Sequence, residues 1–104
     1  MPGTGTAVIN FGASPGSTDA SVAVTGQTGI LAGSLVEAWV FPANTADHSI
    51  DEHLVDPPRV VAANVVVGTG FTIYGFVENQ ANGPFKNSNP AFAYGLWNVA
   101  WVWN

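Results

Sequence analysis

Cysteine is absent from the 104 residues. That excludes disulfide staples and thiolate metal sites, and is neutral on redox compartment. Charge is scarce as well. Charged side chains make up 9% of the chain, against roughly 25% in an ordinary soluble domain. Positive charge is nearly missing, because Arg59 and Lys86 are the two cations against seven acids, for a net charge of −5. Binding to nucleic acid or to anionic membrane needs several Lys or Arg at the surface, so neither partner is expected. Long apolar runs are lacking too: Val60-Val61-Ala62-Ala63 is far below the ~18 residues of a membrane-spanning helix. Met1-Pro2-Gly3-Thr4 has neither a basic nor an apolar leader region, so no secretory signal is expected.

What is present is apolar and punctuated. Hydrophobic residues reach 47%, and 12 Gly with 7 Pro break the chain into short runs about ten residues apart, the spacing of a sandwich or barrel. Length allows one domain over residues 1–104. Without disulfides, its stability must come from core packing helped by oligomerisation.

Period-two alternation marks the strands. Candidates are Thr6 to Phe11, Ala20 to Thr25, Leu35 to Phe41, Val60 to Val67, Phe71 to Val77 and Tyr94 to Trp103. In the third, Leu35, Glu37, Trp39 and Phe41 share one face. Val60 to Val67 is β-branched and apolar throughout, which predicts a central strand buried on both faces. Gly68-Thr69-Gly70 joins it to Phe71–Val77 as a hairpin. The expected fold is all-β, a two-layer antiparallel β-sandwich of immunoglobulin-like or jelly-roll type with about seven strands, and a small barrel is the runner-up.

Two segments fall outside the strand pattern. Residues 42–58 carry Asp47, Asp51, Glu52 and Asp56 of the seven acids and predict a long exposed acidic loop, with a helical turn capped by Asp47. Residues 78–92 are rich in Asn and Pro and predict a long loop or arm.

Chemistry-bearing groups are few. His48, Asp51, Glu52 and His53 form the one cluster of metal-ligand character. With no third histidine and no cysteine, zinc would need carboxylates to complete its shell. Calcium or magnesium would lack the D-x-[DN]-x-[DN]-G pattern. A solvated acidic loop is the simpler reading, and no metal or other cofactor is expected. No G-x-S-x-G elbow or phosphate-cradling glycine loop occurs. Spacing does not place Glu37 and Glu78 as a facing carboxylate pair. No enzyme is expected.

Aromatics carry the remaining signal. Trp97, Trp101 and Trp103 share a face of the last strand. Each indole buries ~150–250 Å², worth roughly 4–6 kcal/mol as an upper estimate. Three readings stay open: all three in the core, one or two at a subunit interface, or an aromatic platform for sugar. Phe85 and Phe92 in the 78–92 segment are further interface candidates.

The stretches Asp19-Ala20-Ser21-Val22-Ala23-Val24-Thr25-Gly26-Gln27, Gly70-Phe71-Thr72-Ile73-Tyr74-Gly75 and Tyr94-Gly95-Leu96-Trp97-Asn98-Val99-Ala100-Trp101-Val102-Trp103-Asn104 resemble small proteins encoded among the virion structural genes of tailed bacteriophages. The resemblance touches both ends and the middle of the chain. Its motifs are structural, so it implies no active-site residues. What it implies is a virion component assembled in the host cytoplasm. The first expectation is a capsid decoration (cement) protein, a homo-oligomer bound to the phage major capsid protein or to other virion proteins. The alternative is a tail or fibre component that binds host surface glycan.

Overall fold

The computed structural model describes residues 3–13, 16–55, 57–77 and 93–104. Six strands and one short helix follow in chain order: β1 (Gly3–Asn10), β2 (Asp19–Val24), β3 (Val36–Val40), α1 (Ile50–Val55), β4 (Arg59–Val66), β5 (Gly70–Phe76) and β6 (Leu96–Trp103). They form two three-stranded sheets of order β1-β6-β3 and β2-β5-β4. Every pairing is antiparallel. Between the sheets, β1 comes close to β2 and β3 to β4. The architecture is the expected all-β sandwich, with six strands among the described residues. First strand pairs with last and second with fifth, while third lies against fourth. That nesting is the jelly-roll alternative of the two expected.

The core is set by alternation. Ile9 and Phe11 at the end of β1, Val24, Phe71 and Ile73 from the second sheet, and Trp97, Val99, Trp101 and Trp103 from β6 are buried in one cluster. Trp97, Trp101 and Trp103 are only 4%, 7% and 5% exposed. Each indole needs space that the neighbouring strand must leave. In the register Gly3 stands opposite Trp103 and Gly5 opposite Trp101. A Cβ on Gly5 would sit 2.5 Å from the Trp101 ring, and one on Gly3 would collide with Trp103. The indoles lie over bare backbone, which fills the gap a strand glycine otherwise leaves.

Burial therefore corrects one expectation. Trp97, Trp101 and Trp103 belong to the core of the single chain, where β1, the second sheet and, over Trp97, the residues that follow β3 cover them. The other interface candidates, Phe85 and Phe92, lie outside the described residues, as does the 78–92 arm.

A second correction concerns β4. It is an edge strand, not a central one. Val60 and Ala62 pack on the core, whereas Val61 and Val66 are exposed. Its ladder with β5 shifts between Ala63 and Val66, where Asn64 takes a left-handed φ of 61°. An apolar run in both phases reads as doubly buried, but one of its faces here is open to solvent.

Candidate functional site

Beyond β3 the chain does not leave β6. Trp39 is in register with Ala100, and the Phe41 amide donates to the Asn98 carbonyl at 2.9 Å. The backbone ladder to β6 ends at that rung. From there side chains take the place of a strand. The Asn98 amide donates to His53 Nε2 at 3.1 Å, and its side-chain Nδ2 donates to the Ala43 carbonyl at 3.0 Å. At Leu96, the amide donates to Asp47 Oδ2 and the carbonyl accepts from Thr45 Oγ1, both at 2.9 Å. One residue pair further, His48 Nε2 lies 2.6 Å from the Tyr94 carbonyl. Alternate backbone positions 94, 96 and 98 are thus satisfied by residues of the 42–55 segment. This is how the buried polar groups of a strand end are matched when the neighbouring strand stops.

Local sequence builds that segment. Ser49-Ile50-Asp51-Glu52 is a capping box. The Glu52 amide donates to Ser49 Oγ at 3.2 Å, and the Ser49 amide to Glu52 Oε1 at 2.9 Å. The Ile50 amide donates to Asn44 Oδ1 at 2.9 Å. The helical turn expected here exists as α1, but Ser49 caps it, because Asp47 is committed to Leu96. The expected exposed loop is also only half right. Its carboxylates Asp47, Asp51 and Glu52 do face solvent, whereas His48 and His53 are 4% and 2% exposed.

Both imidazoles close around Trp97. The His48 ring stacks on the indole at a centroid distance of 3.9 Å and 24° between planes. His53 meets it edge-on at 4.9 Å. His53 Nδ1 lies 2.7 Å from the Ser49 carbonyl. Since His53 Nε2 accepts from Asn98, Nδ1 carries the proton, and this ring is neutral. His48 Nδ1 lies 2.9 Å from Glu52 Oε2.

All four imidazole nitrogens are thereby occupied by protein partners, and none offers a lone pair to a metal. Among the described residues no three metal-capable side chains converge. Asp51 stands apart from the pair that His48 and Glu52 make. The cluster's chemistry is that of a clamp. Its acid dependence follows from Glu52, whose carboxyl is held below the ordinary 4.5, chiefly by the His48 hydrogen bond and then by the Ser49 amide. A depressed folded-state value stabilises the fold above 4.5, and that contribution disappears as pH falls through the folded-state value. Stability followed by urea midpoint from about pH 5.5 down to about pH 3 is therefore expected to decline. Glu52→Gln is expected to flatten that part of the profile.

The outer surface supplies the second candidate. Leu35, Glu37, Trp39 and Phe41 stand in one row on the solvent side of β3. Leu35 is 75% exposed, Trp39 46% and Phe41 42%. Val8 is exposed on the same side of β1, and Leu31 is exposed in the turn ahead of β3. Leu35 exchanges both backbone hydrogen bonds with Asn104. By antiparallel alternation, the N–H and C=O groups of Val36, Ala38 and Val40 then point away from β6.

Comparison with known proteins finds no matching family model, curated protein or solved structure.

The sequence placed Leu35, Glu37, Trp39 and Phe41 on one face without marking that face as the outer one. The signal was Glu37, a charge in the same phase as three large apolar residues. The capping box was likewise readable and missed.

Proposed function

We propose that this chain is an architectural protein of the capsid-decoration kind, which attaches to other virion subunits and to copies of itself through the β3 face. The observation that carries this reading is the row Leu35, Trp39 and Phe41, open to water on an edge strand. Large apolar side chains grouped on one exposed strand face mark contact with another protein, and Trp and Phe are the residues that anchor such contacts. Edge strands are ordinarily guarded by charge, proline or a bulge. At β4 the irregularity at Asn64 does this; within β3, Glu37 is the one guard. The scarcity of charge in the whole chain and its resemblance to phage virion proteins point the same way. A glycan-binding role would call for several polar side chains converging beside the aromatics, and the row itself holds one, Glu37. Asn98, the cross-strand neighbour of Phe41, has its amide engaged with Ala43.

Light scattering of the purified protein tests the contact. Wild type is expected to be oligomeric with a melting temperature that rises with concentration, and Leu35→Ser/Trp39→Ser to be a monomer that still unfolds cooperatively, at a concentration-independent temperature. A wild-type protein that stays monomeric at high concentration, or a double variant that assembles like wild type, would remove the support for this surface. Cryo-electron microscopy of the particle that carries the chain tests its virion placement, with partner density expected over β3.

A further inference from the structure

His48 differs from His53 in what its nitrogens face. Both partners of His48 are oxygen acceptors: the Tyr94 carbonyl at Nε2 and the Glu52 carboxylate at Nδ1. A carbonyl has no proton to give, and neither has an ionised carboxylate. Each ring nitrogen must therefore donate, and a ring that donates twice is an imidazolium. Its flat face rests on Trp97 at 3.9 Å, the arrangement in which an aromatic quadrupole attracts a cation. The charge is buried, yet it has a carboxylate on one side, a carbonyl dipole on the other and an indole face beneath it, which is how a buried charge is tolerated.

We propose that His48 is a proton-operated latch: protonated, it pins the 42–55 segment to the start of β6, and loss of its proton releases that segment. Neutral His48 would turn a lone pair toward an oxygen at 2.6 or 2.9 Å, converting an attraction into a repulsion at one of two anchoring points. The titratable groups that face His48 among the described residues are Glu52 and His53 from α1 and Tyr94 from the chain leading into β6. Asp47, its chain neighbour, is directed to the Leu96 amide. His53 is a neutral acceptor toward Asn98, so it adds no competing charge. The latch thus closes when His48 is protonated and Glu52 is ionised, and opens on either side of that window. What it controls is the set of side chains standing in for a strand beside Tyr94, Leu96 and Asn98.

Nitrogen-15 spectra of the histidine rings in the wild-type chain test this directly. With the latch closed, His48 is expected to show two protonated nitrogens and His53 one. As pH rises and His48 loses a proton, the Trp97 indole N–H resonance is expected to shift, and the Leu96 and Asn98 amides to lose protection from hydrogen exchange. The Trp101 and Trp103 indoles are expected to stay unchanged. In His48→Gln that local step is expected to vanish. If this variant does not fold, the wild-type titration decides. A single protonated nitrogen on His48 with the Leu96 amide still protected would overturn the proposal. So would deprotonation of His48 with no local change, a change spread evenly over all indoles, or a His48→Gln protein that keeps the step.

Discussion

Trp101→Ala is expected to lower stability by about 3–5 kcal/mol, read as a drop in urea midpoint at constant slope. The indole is buried and meets Phe71 edge-on at 5.5 Å. The residue opposite it is Gly5, which has no side chain to swing into the vacated space. Cavities that cannot collapse are the costly ones. A domain of this size has roughly 5–15 kcal/mol in total, so the variant should be at or near the limit of folding. Trp39→Ala removes the same side chain from the solvent face of β3, where it is 46% exposed. Its cost to the isolated chain should be well under that of Trp101→Ala, within about 1 kcal/mol, and its effect should appear in assembly. Equal losses of stability at the two positions would contradict the division of the indoles into core and surface.

That division shows what was legible in the sequence. Alternation placed Trp97, Val99, Trp101 and Trp103 on one face of one strand, and they are on one face. Which face is inside depends on the partner strand. Gly3, Gly5 and Ala7 of β1 make room for the indoles only in a register that pairs residue 3 with residue 103, and a pairing across the whole length of the chain leaves no local trace. The same limit applies to the clamp. Ser49-x-x-Glu52 announces a helix start by itself, but His48 and His53 find Tyr94, Trp97 and Asn98 some 45 residues away. As a sequence, that segment is four acids and two histidines, and it reads as solvated. In β4 the difficulty is different. Val and Ala in both phases satisfy a buried strand and an edge strand equally well, and only its place outside β5 decides.

Gly95→Ala is expected to cost about 2.5–5 kcal/mol and to act at the clamp. Gly95 has φ of +74°, in the left-handed region where a side chain costs roughly 1–2 kcal/mol. Its backbone is fixed from both sides, since its amide donates to the Gly12 carbonyl at 2.7 Å and its own carbonyl accepts from the Phe11 amide at 3.0 Å. The chain cannot rotate away without breaking those bonds. A Cβ there would lie 2.6 Å from the Asp47 carboxyl carbon, so Asp47 must move. Doing so surrenders its hydrogen bond to the Leu96 amide, a charge-assisted bond worth about 1.5–3 kcal/mol. The two costs arise at one position but are separable. Asp47→Asn retains an acceptor and removes the charge, so it should recover most of wild-type stability. Asp47→Ala should lose the hydrogen-bond share while leaving the backbone of Gly95 unstrained. If Gly95→Ala proved no worse than Asp47→Ala, the left-handed conformation would carry no cost here, and the strain at this corner would have to be abandoned. The larger loss for Gly95→Ala is expected because a single glycine lets the chain turn into β6 while the segment carrying Asp47 lies directly against its Cα.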